Sequence, residues 1–129
     1  MNRSVVLDAS AVLALLHNEL GGSKVAEYIQ FGAALSTVNL TEIISKQQEL
    51  GIPTEEMMDM LELMGIDIHF FDQETAVYAG IMRISTKSLG LSLGDRACLA
   101  LAQKLKLPVL TADRAWTQLN NGIEIILIR

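Results

Sequence analysis

Short apolar runs alternate with longer stretches of helical period from one end of this 129-residue sequence to the other. SVVLD (4–8) reads as a buried strand, and AVLALLHNEL (11–20) as an apolar-faced helix stopped by Gly21-Gly22. Residues 23–31 continue as a second short helix, ALST (34–37) as a strand, and 39–50 as a helix ended by Gly51. Thr54 is placed to cap an acidic, Met-rich helix that carries Glu55 and Glu56 in its first turn and ends at Gly65. IDIHFF (66–71) reads as a strand, and Asp72 as the cap of a long helix running to about Gly90. Ser92 caps the helix containing ACLALAQKL, LPVLTAD (107–113) is the next strand, and IEIILI (123–128) the last. Strands that alternate with helices predict an α/β fold: a three-layer α/β/α sandwich on a mainly parallel sheet with right-handed crossovers. With no linker, repeat or low-complexity tract, residues 1–129 are expected to form a single domain.

Composition narrows the function classes. Half the residues are apolar, yet no run approaches the roughly 18 apolar residues that a membrane span needs. The start, MNRSVVLDASAVLALL, joins a basic residue to an apolar stretch, but Asp8 interrupts that stretch and Glu19 stands where a cleavage site of small residues is expected, so no signal peptide is read. A lone cysteine, Cys98, excludes an intrachain disulfide and suits the reducing cytoplasm. A net charge of -5 speaks against non-specific adhesion to polyanions, so a nucleic acid partner has to be held by local basic groups or bound cations.

In α/β sheets ligands collect beyond the carboxyl ends of the strands. Asp8 and Asp113 each close a predicted strand, while Glu42 and Asp95 fall in the first turns of predicted helices. Each acid also has a local structural use: Asp8 or Ser10 can cap the helix that follows, Asp95 forms a capping-box pair with Ser92, Glu42 stands three residues after Asn39, and Asp113 can open a turn before Arg114. Together they describe something else. Carboxylates crowded at one edge with no lysine to pair them resist ionisation unless they hold a cation, and hard oxygen donors point to Mg²⁺ or Mn²⁺. Such ions can activate a water and stabilise charge on a phosphodiester.

Four segments, VVLDAS (5–10), STVNLTEI (36–43), LSLGDRACLALA (91–102) and LTAD (110–113), resemble in order and spacing the four signature regions of PIN-domain nucleases, above all the VapC toxins of toxin–antitoxin pairs. The resemblance covers almost the whole chain. It implies a metal-dependent endoribonuclease in which Asp8, Glu42, Asp95 and Asp113 bind one or two Mg²⁺ or Mn²⁺ ions, with Ser10, Thr111 and Asn39 orienting a carboxylate or water. It also implies an RNA substrate, an antitoxin partner and a homodimer. Some relatives carry a further acid after the fourth, where Ala115 and Trp116 stand here.

The remaining features are read more plainly. Arg96 and Arg114 each follow a proposed ligand and are placed either to meet substrate phosphates or to form ion pairs on the rim. Arg83 and Lys87 share a helix face and read as solvated charges. In MMDMLELM (57–64), Met57, Leu61 and Met64 are expected in the core and Met58 nearer the other side, where it suits a partner's helix. GLSLG (90–94) formally matches a nucleophile elbow, but a helical pattern precedes it and both His17 and His69 lie upstream. Gly21-Gly22-Ser23-Lys24 lacks the spacing of a phosphate-binding loop, and His17, His69 and Cys98 lack zinc-ligand spacing. The rival class is a non-catalytic α/β signalling or scaffold domain, such as a receiver-like unit or an inactive PIN fold. A receiver wants an acid pair after the first strand and a lysine after the last, whereas this chain has Asp8 alone and ends at Arg129.

Overall fold

A computed structural model describes residues 4–129, so Met1 to Arg3, within the basic start considered above, lie outside the described residues. Five strands, β1 (Val5–Leu7), β2 (Ala33–Ser36), β3 (Ile66–His69), β4 (Val109–Thr111) and β5 (Ile125–Leu127), form one sheet in the order β3-β2-β1-β4-β5. All four pairings are parallel, with Val6 opposite both Ala34 and Val109. Six helices connect them: α1 (Ala9–Leu16), α2 (Gly22–Ile29), α3 (Thr37–Glu49), α4 (Thr54–Leu63), α5 (Gln73–Thr86) and α6 (Leu93–Leu105).

The side chains of a strand alternate between its two faces, and here that alternation builds the three layers. Val5, Leu7, Leu35 and Leu110 join a core with buried residues of α1, α2, α3 and α4. Val6, Ala34 and Val109 point the other way, into a core with Met82 of α5, Leu99 and Leu101 of α6, and Trp116. Strands buried on both faces read as continuous apolar runs, which is why VVL and VLT carry no alternating polar residues. None of the described helices is long and apolar enough to cross a membrane.

Several boundaries move. The first helix begins at Ala9 and ends at Leu16, so Gly21-Gly22 does not stop it but opens α2. Gly21 has φ +95°, and a Cβ on Gly22 would lie 2.7 Å from the Ala14 carbonyl oxygen, so the glycine pair lets α2 pack directly on α1. α3 starts at Thr37 with Ser36 as its cap, ahead of the Asn39 start read from sequence, which puts Glu42 in the second turn. Pro53, and not Thr54, is the N-cap of α4; no side chain caps that end. α5 gives way to a short 3₁₀ turn over Lys87–Leu89 before Gly90. The third strand ends at His69, where the Phe71 amide leaves the sheet to donate to the Thr37 hydroxyl at 3.0 Å.

Asp72 and Ser92 cap their helices as the sequence indicates. Asp72 also joins α5 to α6: Oδ1 accepts from the Thr75 amide at 2.9 Å while Oδ2 accepts from the Lys104 ammonium. Lys104 first, then Thr75, hold the Asp72 carboxyl well below the usual carboxylate range. A carboxyl depressed by folding contributes stability that is present above its ordinary value of 3.8 and is lost as pH falls through the folded value. Asp72→Ala is therefore expected to lower the melting temperature at pH 7. The difference from the parent should narrow as thermal scans are taken below pH 3.8, and it should shrink in high salt because the pair is exposed.

Candidate active site

The strand order places a reversal between β1 and β4, because the chain moves outward through β2 and β3 and then returns to the other side of β1. Beyond the carboxyl ends of two such strands the connections diverge and leave a crevice. Asp8 leaves β1 and Asp113 follows β4 at this point, one residue or more past the paired strand ends. Glu42 on α3 and Asp95 on α6 complete the wall, and all four acids line one cleft of about 180 Å³ together with Ser10, Asn39 and Lys46.

Asp8 is 5% exposed and has the most constrained carboxylate. Its Oδ1 accepts from the Ser10 hydroxyl at 2.6 Å and from the Ala11 amide at 2.9 Å, and its Oδ2 accepts from the Thr111 hydroxyl at 2.7 Å. Asp8 thus caps α1, and Ser10 does not: Ser10 lies inside the helix and turns back. Both hydroxyls are fixed in turn, since Ser10 Oγ accepts from the Ala112 amide and Thr111 Oγ1 from the Asp113 amide, each at 3.0 Å. Burial pushes the Asp8 carboxyl up; the three hydrogen bonds oppose this, and Asp95 adds to the rise.

Asn39 is buried at 1% exposure and bridges α3 to α6. Its Nδ2 donates to Glu42 Oε1 at 2.8 Å and to the Gly94 carbonyl at 3.0 Å. Two acceptors on one side fix the orientation of the amide, and Oδ1 is left buried without a partner. The Glu42 carboxyl lies against Gly94, where a Cβ would come within 2.7 Å of its carboxyl carbon. Asp95 keeps the capping-box role, its Oδ2 accepting from the Ser92 amide at 2.9 Å, and Asp113 Oδ1 accepts from the Ala115 amide at 3.0 Å as it opens a 3₁₀ turn.

Cys98 reports the convergence from below. It is buried, and its thiol is pushed well up by burial and then by Asp8, Asp95 and Glu42, so it is inert as the sequence suggests. Asp113 stands further out and is exposed.

The donor set fits a hard divalent cation in its chemistry: four carboxylates, an orphaned buried carbonyl oxygen on Asn39, and spare lone pairs on each capping carboxylate. It is not drawn together as a finished cage. Among the described residues no three His, Cys, Asp or Glu side chains stand ready to hold an ion: Asp8, Asp95 and Asp113 each serve a local cap, and Glu42 is tied to Asn39.

Two readings of charge need correction. The acids are not without a lysine: Lys46, one turn beyond Glu42, lines the cleft, a position that only the placement of α3 against α1 reveals. Arg96 does not line the cleft and forms no ion pair among the described residues; its Nη1 donates to the Ala79 carbonyl of α5 at 3.0 Å.

Comparison with known proteins agrees with this geometry. The PIN domain family matches residues 5–121. No curated protein matches in sequence. Among solved structures, a toxin–antitoxin complex from Klebsiella pneumoniae is similar with 17% identity and a TM-score of 0.77, covering 97% of this chain and 98% of that one. DNA-bound VapBC from Salmonella typhimurium has 16% identity and a TM-score of 0.75 over the whole of both chains. VapBC-5 from Mycobacterium tuberculosis has 22% identity and a TM-score of 0.59, covering 98% of each. With a family match over nearly the full length and an acid-lined crevice at the sheet's reversal point, this chain belongs to the PIN-domain family.

Proposed function

We propose that the protein is a metal-dependent endoribonuclease and the toxin of a toxin–antitoxin pair. The observation that carries this reading is the meeting of four acids, from four separate segments, in one cleft. Asp8, Glu42, Asp95 and Asp113 would hold Mg²⁺ or Mn²⁺. When bound, such an ion supplies an activated water and neutralises charge developing on the phosphodiester. Ser10 and Thr111 fix the Asp8 carboxylate by donating to opposite oxygens, and Asn39 fixes Glu42. Carboxylates held in place this way need less reorganisation when charge develops, a large source of such catalysis.

An antitoxin partner and a homodimer belong to the same reading. The similar solved structures are described as toxin–antitoxin complexes. On α4, Met60 and Leu63 are exposed one turn apart and Met58 is exposed on the other side, adaptable side chains suited to a partner's helix. Val77, Ile81 and Ile84 are exposed at i, i+4 and i+7 on α5, an apolar row that a second copy would cover.

Expression of the chain alone tests the reading. Growth arrest is expected with the parent and not with Asp95→Asn, a change that keeps an acceptor for the Ser92 amide and so preserves the helix cap. The purified parent should cleave RNA with Mn²⁺ and stop in EDTA. No arrest together with no Mn²⁺-dependent cleavage would favour a scaffold.

A further inference from the structure

The acid cleft opens into a second cleft of about 390 Å³, and Ser10, Leu13 and Lys46 line both. His17, Glu49, Leu50 and the Glu19–Arg129 ion pair continue the wall of the larger one. Lys46 therefore stands at the junction. It is exposed, and its ammonium forms no ion pair or hydrogen bond among the described residues. Of the other cations nearby, Arg129 is committed to Glu19 and the Leu20 carbonyl, Arg96 to the Ala79 carbonyl and Lys24 to the Leu127 carbonyl, while Arg114, exposed beside Asp113, lines neither cleft. Of the residues lining the acid cleft, Lys46 alone is a Lys or Arg.

A chain carrying -5 overall, with its site built of carboxylates, repels a polyanion except where a free cation meets it. Resting on the nuclease reading above, we propose that Lys46 binds the RNA phosphate next to the one that is cleaved, steering the strand out of the acid cleft into the neighbouring groove. The larger cleft has room for the following nucleotide, with Leu13 and Leu50 as apolar wall and His17 as a polar edge. His17 is held in place by Nε2 against Gln47 Oε1 at 2.7 Å. The competing role for Lys46 is a purely internal one, an i,i+4 partner for Glu42 that tunes the acid site.

The test is steady-state cleavage of a short single-stranded oligoribonucleotide with Mn²⁺ by the parent, Lys46→Gln and Lys46→Arg. Lys46→Gln is expected to raise KM by about fivefold to tenfold, the size of one charged contact, with kcat reduced less than about twofold. Its plot of log kcat/KM against log salt should be shallower by about 0.7, the value for one phosphate contact on a single strand. Lys46→Arg should restore both. An unchanged salt slope in an active parent background, or a lost kcat with an altered Mn²⁺ requirement, overturns the phosphate contact and assigns Lys46 to Glu42. A parent that neither cleaves nor binds RNA overturns the nuclease reading itself, and this inference with it. Relief of toxicity by an added antitoxin peptide that requires Lys46, with no effect of Lys46→Gln on RNA cleavage, would instead assign the groove to a protein partner.

Discussion

Asp8→Asn is expected to abolish Mn²⁺-dependent RNA cleavage and, at the same time, to raise the melting temperature of the metal-free protein at neutral pH. Both halves follow from one carboxylate. Asp8 is buried at the floor of the acid cleft, and burial is the largest influence on its carboxyl, raising it above 3.8 despite the Ser10, Thr111 and Ala11 hydrogen bonds. The folded state then holds the proton more tightly than the unfolded state does. Stability from that source is complete below 3.8 and falls as pH rises through the folded value, so burying an acid at this position is a net cost at pH 7. Asparagine removes the charge and keeps an acceptor for the Ala11 amide, and it serves as well as aspartate at a helix N-cap. The activity loss should be on the order of 10³-fold, as for other preorganised electrostatic groups at a reacting centre. Thermal scans in EDTA at pH 7 and below pH 4 check the first half: the advantage of the variant should vanish at the lower pH. A variant less stable than the parent at pH 7, or one that still cleaves at the parent rate, would contradict this assignment.

Gly94→Ala is expected to separate activity from folding. Gly94 is the second residue of α6, and its hydrogen faces the Glu42 carboxyl. A methyl there has to displace that carboxylate, which sits at the end of a flexible side chain and can swing away without moving backbone. Alanine is also the better helix former, by up to about 1 kcal/mol. The melting temperature should therefore hold or rise. Glu42, however, is positioned by Asn39, which also binds the Gly94 carbonyl, so displacement breaks the tie between α3 and α6 at the cleft. A loss of about 10- to 100-fold in activity is expected, the range for disturbing the groups that orient a ligand, with more Mn²⁺ needed for half-maximal rate. Parental activity at parental Mn²⁺ in a well-folded variant would remove Glu42 from the ligand set.

Much of this arrangement is legible before any coordinates. Ser92 and Asp72 announce helix starts because their oxygens reach an amide two or three residues on, a purely local matter. Met57 and Leu61 announce a buried face by their spacing, and both are buried, with Met64 half-buried beside them. The acids that follow β1 and β4 are visible as ends of apolar runs. What sequence leaves open is set by distance in space. Strand alternation does not dictate the order β3-β2-β1-β4-β5, and that order alone creates the crevice. In STVN three neighbouring polar residues can each cap a helix, and the choice of Ser36 is made by where β2 ends. Arg96 looks like a rim cation beside Asp95, yet α5 packs close enough to α6 for its guanidinium to reach the Ala79 carbonyl. Lys46 looks like an ordinary helix-surface charge until α3 is set against α1.

A crystal grown with Mn²⁺ and measured for anomalous scattering addresses the central claim most directly. The account predicts a peak inside the cleft with oxygen atoms of Asp8 and at least one of Glu42, Asp95 and Asp113 in its coordination shell, and its disappearance in Asp8→Asn. An empty cleft in a protein that nonetheless cleaves RNA with Mn²⁺, or a peak bound elsewhere, would contradict it.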